Sequence, residues 1–286
     1  NNIQTYFSEL FITEHVEKED NKQQLIYAAV GAFLVLLSLV WFFGNNNASD
    51  LQKDSLLEDT KNREEVKKEA KAKLPSTEEL QAKQSAHPGM VYIPAGPVLI
   101  GSLNREFQFN ITGEKNTLAA EGEPLARKVE MEGFFIDRFE WPNPIELEEG
   151  NPISPVVQVN HQVAEQACKE KGKRLCTSAE WEKACKGFEN FVYSYADLLD
   201  EDICPSGDYI LGKDKECKSS YSVYGMSAGP REWTATSGAS GNRFVTKGGS
   251  AKGHPERGYR CAFSSDDNAN YADTSLSFRC CLSDSE

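Results

Sequence analysis

Basic residues are scarce in this 286-residue sequence. The chain has 31 lysines and arginines against 44 aspartates and glutamates, and its formal net charge at pH 7 is −13. Nucleic-acid binding needs clustered basic side chains that displace counterions from phosphates, and polybasic binding to a membrane surface has the same need. We therefore expect no nucleic-acid partner. The length fits one domain of ordinary size with appendages, or two small domains. An enzyme, a binding module and a scaffold all remain open.

Charged residues are absent from residues 25–43, a run that is apolar apart from Ser38. A helix of this length, at about 1.5 Å per residue, roughly matches the ~30 Å hydrocarbon core of a bilayer. A signal peptide would begin with basic residues, whereas residues 1–24 are acidic. The sequence predicts one transmembrane helix over residues 25–43 and a cytoplasmic tail over residues 1–24. Because residue 1 is not methionine, we expect the natural chain to begin earlier.

Cysteine is absent before Cys168, and all eight cysteines lie between Cys168 and Cys281. No two of them have the two-residue separation of a zinc-binding Cys-x-x-Cys motif. An even number of cysteines confined to one segment, beyond a membrane helix, indicates disulfides in an oxidising compartment. The C-terminal part is therefore expected to be periplasmic or extracellular. Reduced, buried cysteines in a cytosolic domain are the alternative, which we rank second.

Acidic and basic side chains alternate over residues 51–73, in a helix-forming composition that allows i,i+3 and i,i+4 pairs. The sequence predicts a solvated helical stalk that ends at Pro75 and a linker over residues 74–88. Together these give a charged stalk and linker over residues 44–87. The folded domain is predicted over residues 88–286.

Short apolar runs bounded by Pro and Gly predict strands at residues 90–94, 98–100 and 134–136. Two helices are predicted between them and the C-terminus. The first begins at Asn160 and ends at Gly172. Its inward face is predicted to carry Val163, Ala164, Ala167 and Cys168. The second begins at Thr177 with capping-box spacing, ends at Gly187 and turns inward Trp181, Ala184 and Cys185. Two helices within a Gly-rich β framework predict an α+β domain.

Short motifs in a fixed order over residues 88–282 resemble the formylglycine-generating enzyme (sulfatase-modifying factor) family. They include Met-Val-Tyr-Ile-Pro-Ala-Gly at 90–96, Phe-Ile-Asp at 135–137, Gly-Lys-Arg-Leu at 172–175, Glu-Trp-Glu at 180–182, Tyr-Gly-Met at 224–226, Arg-Glu-Trp at 231–233, Gly-Gly-Ser at 248–250 and Phe-Arg-Cys at 278–280. The resemblance implies the family's fold, an α+β fold related to C-type lectins with little regular secondary structure.

The resemblance also implies two disulfides, Cys168–Cys280 and Cys185–Cys261. Of the other cysteines, Cys204 and Cys217 enclose a short loop and are close enough in sequence to pair. Eight cysteines allow 105 connectivities, so the pairing stays open for the remaining four, Cys176, Cys204, Cys217 and Cys281.

Enzymes of this family activate O₂ on a copper(I) ion held by two cysteine thiolates, which are soft ligands suited to that ion. Here the corresponding segment, residues 251–258, contains no cysteine, and Gly253 stands at the place of the first thiolate. The resemblance therefore implies a catalytically inactive domain, with no copper. A related iron-dependent branch of the family needs a histidine triad as its metal ligands. His161 is not expected to be such a ligand, because it is predicted to be a surface residue at a helix start.

The former substrate groove would be lined by Gly253, His254, Glu256 and Arg257, which are the candidate groove residues. Calcium is the family's structural ion, but Pro230 stands where one of its ligands would be an asparagine. Calcium binding is thus possible but doubtful, and Glu232 could instead pair with an arginine. The segment from Glu140 to Glu149 is predicted to be a solvated acidic loop.

The expected function is that of a non-catalytic, membrane-anchored structural or partner-binding subunit of a bacterial cell-envelope complex, of the gliding, secretion or motor type. Its expected partners are other membrane or envelope proteins, bound through the tail, the transmembrane helix and the stalk. Two alternatives stay open. One is a glycan- or peptide-recognition module that uses the old groove, and the other is an oxidoreductase with a relocated metal site.

Overall fold

The computed structural model describes residues 57–103, 123–205, 209–249 and 255–284. Within it, residues 58–286 form one compact unit. Among the helices of these ranges, none has the length and apolar character needed to cross a membrane. The predicted tail (1–24) and transmembrane helix (25–43) lie outside the described residues.

Five helices and ten strands make up the described structure. The helices are α1 (57–72), α2 (Thr77–Ala86), α3 (His161–Glu170), α4 (Ser178–Lys186) and α5 (Pro255–Gly258). The strands are β1 (Met90–Ile93), β2 (Gly96–Ile100), β3 (Arg127–Met131), β4 (Phe134–Asp137), β5 (Arg174–Leu175), β6 (Arg231–Ser237), β7 (Arg243–Lys247), β8 (Ser264–Asn268), β9 (Leu276–Phe278) and β10 (Cys280–Ser283).

The described strands form three sheets. The first has the order β1-β4-β10-β5 and is antiparallel, the second pairs β2 with β3, and the third has the order β8-β7-β6-β9. In the third sheet β6 and β9 run parallel. Every residue of β1 and β4 is buried, which agrees with the continuous apolar runs that predicted these strands.

Local capping starts both central helices where the sequence predicts. The Asn160 Oδ1 atom accepts a hydrogen bond from Val163 N at 2.9 Å. Thr177 and Glu180 form a reciprocal capping box. The inward face of α3 is narrower than predicted, because Ala164 and Cys168 are buried but Val163 is 51% exposed.

Four disulfides hold the domain together, and they include both pairs that the resemblance implies. The other two join Cys176 to Cys281 and Cys204 to Cys217. Adjacent Cys280 and Cys281 point to opposite faces of β10. Cys281 belongs to the core between the first sheet and α4, and Cys280 to the core beside α3 and β6. One strand is therefore cross-linked into both cores.

The prediction of a solvated stalk is wrong for α1. Val66 is 2% exposed and packs against Leu99 and Leu103 of the domain. Arg63 and Ala70 on the same face are also buried. The sequence misled here because the buried stripe of α1 contains few apolar residues, and its partners are distant in the chain.

The linker prediction over residues 74–88 is also wrong, since α2 lies within that range. Ser76 and Glu79 form a capping box at its start. Leu80 packs against Met90, Tyr92 and Phe135 of the first sheet. The compact unit therefore begins at Glu58 rather than at residue 88.

Removing one disulfide is expected to weaken the fold according to the loop that this bridge closes while the other bridges remain. Cys204 and Cys217 are 13 residues apart. Cys168 and Cys280 are 112 residues apart, but the neighbouring Cys176–Cys281 bridge shortens the loop that they close to roughly ten residues. In the chain-entropy model, Cys204→Ser/Cys217→Ser and Cys168→Ser/Cys280→Ser therefore each lower the free energy of unfolding by about 3 kcal/mol. Urea denaturation of the oxidised proteins measures both values, and a much larger cost for Cys168→Ser/Cys280→Ser would contradict the entropic explanation.

Candidate functional site

Residues 255–263, which contain the described part of segment 251–258 and the Tyr-Arg-Cys motif, are called the groove segment below. Of the candidate groove residues, Gly253 and His254 lie outside the described residues, and Glu256 lies in α5. The Arg257 guanidinium lies 5.0 Å from the centroid of the Phe263 ring. The structure therefore places Arg257 over the buried ring of Phe263.

Covalent and backbone contacts fix the groove segment on the domain. Cys261 is cross-linked to Cys185 on α4, and its backbone N donates to Val192 O at 2.8 Å. The Ser227 hydroxyl donates to Tyr259 O at 2.9 Å. The segment is thus held by three separate parts of the chain.

A buried ion pair forms one side of the groove segment. Arg260 Nε lies 2.8 Å from Glu123 Oε1, and its Nη2 lies 3.1 Å from Glu123 Oε2. The same Nη2 lies 3.3 Å from Ser102 Oγ. Since Glu123 neutralises the guanidinium, the role of Arg260 is structural. Sequence reasoning did not single out Glu123, although a buried arginine in the Tyr-Arg-Cys motif requires an acidic partner.

Two tyrosines lie next to this ion pair. Tyr193 and Tyr259 pack together in an apolar cluster with Val192. Burial raises the pKa of Tyr193 to about 12, so its hydroxyl stays protonated at neutral pH. These side chains are buried, so they supply packing rather than an acid or a base.

A second polar centre lies in the middle of the domain. Arg279 Nε lies 2.6 Å from Glu232 Oε2, and Arg279 Nη2 lies 2.7 Å from Glu232 Oε1. Trp181 Nε1 also donates to Glu232 Oε2 at 2.8 Å. The expectation that Glu232 pairs with an arginine is confirmed. With its carboxylate used in this way, Glu232 does not fit a calcium ligand.

Glu140 lies beside this pair, where the sequence predicted a solvated loop. The side chain is fully buried, with Oε1 3.4 Å from Arg279 Nη2, and neither oxygen accepts a hydrogen bond from the described residues. Burial raises the pKa of Glu140 to about 8, with Arg279 opposing and Glu232 adding to the rise. The prediction holds for the exposed Glu146, Glu148 and Glu149. It is wrong for Glu140, because Trp141 stacks on Phe278 and draws the start of the loop inward.

The prediction that His161 is a surface residue is also wrong. The side chain is buried, and its ring stacks on that of Phe244 with centroids 3.5 Å apart. The His161 Nε2 atom donates to Thr234 O at 3.1 Å. Burial lowers the pKa of His161, so the ring is neutral at neutral pH and belongs to the core.

A separate cavity of about 570 Å³, which the groove segment does not line, opens at the N-terminal end of α4. It lies away from the Cys185–Cys261 disulfide. Its size falls in the range of small-molecule sites. Arg174 on its wall bonds both oxygens of Glu180, at 2.6 and 2.8 Å. Asp284 on the other side pairs with Lys83 and accepts from the hydroxyl of Tyr92. The walls are thus built from satisfied ion pairs.

The donor set does not fit copper(I). All eight cysteines of the sequence are in disulfides, so no thiol remains to supply a thiolate. In the ranges described above, no group of three His, Cys, Asp or Glu side chains lies close enough together to hold a metal ion.

Glu140→Gln keeps the side-chain shape and removes the buried ionisable group. Folding raises the wild-type pKa from 4.5 to about 8. The stability that comes from holding this proton is therefore present in full below about pH 4.5, and it is lost as the pH rises through about 8. Between about pH 5 and about pH 8, we expect the variant to gain about 3–5 kcal/mol over wild type in free energy of unfolding.

Urea titrations of the oxidised proteins across this pH range measure the difference. Glu146→Gln, in the exposed part of the same loop, is the matched control and should follow wild type. Parallel pH profiles of wild type and Glu140→Gln would contradict a protonated, buried carboxyl group.

Comparison with known proteins gives a family match and a set of structural relatives. A model of the FGE-sulfatase family, described as a sulfatase-modifying factor enzyme 1-like domain, matches residues 75–283. The search of curated proteins gave no significant match. Among solved structures, PvdO from Pseudomonas aeruginosa is 15% identical, with 68% of this chain and 94% of that chain covered and a TM-score of 0.50.

Two further structures are less similar in shape. CarF is 16% identical, with 68% of this chain and 97% of that chain covered and a TM-score of 0.47. Variable protein 1 of Treponema denticola is 15% identical, with 68% and 94% covered and a TM-score of 0.45. At this identity, the likeness to PvdO shows a common fold alone.

The family match spans most of the chain and includes α2 as well as both cores. It confirms the predicted α+β fold, in which the motifs, the disulfide-linked helices and the groove segment occupy one domain. The chain therefore belongs to the FGE-sulfatase family of sulfatase-modifying factor enzyme 1-like domains.

Proposed function

We propose that this chain is a non-catalytic, membrane-anchored subunit of a bacterial cell-envelope complex, with its family domain on the periplasmic or extracellular side. The observation that carries the non-catalytic part is the use of all eight cysteines in disulfides. Copper(I)-dependent activation of O₂ needs a thiolate pair, and none is available.

The surroundings of the groove segment support the same proposal. Arg260 is neutralised by Glu123, and the hydroxyl of Tyr193 stays protonated at neutral pH. The general acids and bases of catalysis need a pKa near the working pH and access to the reacting atoms. Arg260 and Tyr193 are both buried, so they lack this access.

Assembly through the N-terminal region rests on the apolar run at residues 25–43, whose small residues Ala28, Ala29, Gly31 and Ala32 allow close helix packing in lipid. The docking of α1 narrows this proposal. Its buried face, with Arg63, Val66 and Ala70, is already covered by the chain's own domain. Partner contacts are thus assigned to residues 1–56 and to the exposed face of α1.

Copper binding and cysteine oxidation test the non-catalytic part. The purified full-length chain, reconstituted with copper(I), is expected to retain no stoichiometric metal and to consume no O₂ with a cysteine-containing sulfatase peptide, because the thiolate pair is absent. An active enzyme of the family serves as the positive control. Stoichiometric copper together with oxygen uptake would overturn the proposal.

Exchange of the anchor tests the assembly part. Residues 1–43 are replaced with an unrelated single-pass anchor, and membrane partners are compared by co-purification from detergent and mass spectrometry. We expect the chimera to lose most of its partners, because the tail and membrane helix carry the main contacts.

The control chimera restores residues 1–43 behind the same affinity tag and should recover them. If the first chimera keeps the same partners at wild-type yield, the domain rather than the N-terminal region holds the complex together.

A further inference from the structure

Helix α1 lies directly on a loop formed by residues 188–197, which we call the docking loop. Arg63 bonds both carboxylate oxygens of Asp197, at 2.5 and 2.8 Å. Lys67 and Lys71 lie 2.5 and 2.6 Å from the two oxygens of Glu189. The hydrogen bond to Glu189 raises the pKa of Lys67. Two carboxylates of the docking loop thus hold three basic side chains of α1.

The docking loop also carries part of the groove segment's support. Val192 O accepts the backbone hydrogen bond of Cys261 N at 2.8 Å. Tyr193, next in the chain, packs in one cluster with Tyr259. Asp197 Oδ1, which Arg63 bonds, also accepts from Val192 N at 3.3 Å. One carboxylate therefore touches both α1 and the part of the loop that supports the groove segment.

A second route starts from Val66, on the same buried face of α1 as Arg63. Val66 packs against Leu103, which follows Ser102 directly in the chain. Ser102 hydrogen-bonds Glu123 and lies 3.3 Å from Arg260 Nη2. Contacts of α1 thus reach the groove segment by two routes, one at Tyr259 and one at Arg260.

The docking of α1 is held more weakly than the rest of the domain. Its buried apolar contacts come from Val66 and Ala70, and a space of about 230 Å³ remains between the helix and the domain. Arg63 is itself buried, but its partner Asp197 is 43% exposed, and Lys67 and Lys71 are partly exposed. Partly exposed ion pairs contribute modestly and weaken with salt. The remaining domain is cross-linked by four disulfides.

We propose that α1 is a detachable strap whose docking controls the order of the groove segment. A membrane partner that engages residues 1–56 or the exposed face of α1, as the proposed function requires, would withdraw the helix and loosen Tyr259 and Arg260. The coupling is reciprocal, so a ligand that orders the groove segment strengthens the docking of α1. The order of the groove segment then depends on whether a partner is bound at the N-terminal region.

Hydrogen exchange of the full-length chain in detergent micelles, followed by mass spectrometry, tests the coupling. Arg63→Glu/Lys67→Glu reverses the contacts to Asp197 and Glu189. Lys61→Glu/Lys68→Glu makes the same charge change at two exposed positions of the same helix and is the matched control. Raising NaCl from about 0.05 M to about 1 M weakens the same pairs in wild type without mutation.

In Arg63→Glu/Lys67→Glu, we expect exchange to rise about tenfold in α1, in residues 188–197 and in residues 259–263, with β4 and β10 unchanged. High salt should produce the same pattern in wild type, and the control variant should not. Faster exchange in α1 alone would overturn the coupling. Unchanged protection of α1 under both perturbations would overturn the ionic docking. Neither result depends on copper binding or on co-purification, so the proposed function fails or stands separately.

Discussion

The buried pair of Arg279 and Glu232 is the contact on which the arrangement of the domain depends. Arg279 lies between β9 and β10, and besides Glu232 on β6 it donates to the carbonyl oxygens of Asp137 and Tyr224. Removing one member of such a pair leaves an uncompensated buried charge and typically costs about 3–5 kcal/mol. One guanidinium therefore sets the first sheet against the third, with Trp181 of α4 hydrogen-bonded to the same carboxylate.

Two disulfides hold β10 in place beside the Arg279–Glu232 ion pair. Cys280 and Cys281 follow Arg279 directly and cross-link β10 into the cores on both of its faces. The cysteines thus stabilise the part of the domain on which the groove segment lies. This use of every cysteine is the physical basis for proposing a binding role in place of thiolate chemistry. The cores are cross-linked by disulfides, whereas α1 is attached mainly by ion pairs to the partly exposed Asp197 and Glu189. Movement is therefore expected at the docking loop rather than in the cores.

Features set by neighbours in the sequence could be predicted, and features set by distant residues could not. The starts of α3 and α4 follow from Asn160 and from the Thr177 capping box, which act within three residues. Two disulfide pairs came from the resemblance. The burial of Glu140 depends on Arg279, across the fold. The docking of α1 likewise depends on Glu189 and Asp197, more than a hundred residues along the chain, and no local periodicity marks them.

A count of free thiols tests whether every cysteine is in a structural disulfide, with none left as a thiol for catalysis. The full-length chain is unfolded without reductant, alkylated, and then reduced and alkylated with a second reagent. We expect no thiol in the first step and eight in the second. A stoichiometric free thiol in the first step, above all at Cys185 or Cys261 beside the groove segment, would contradict it.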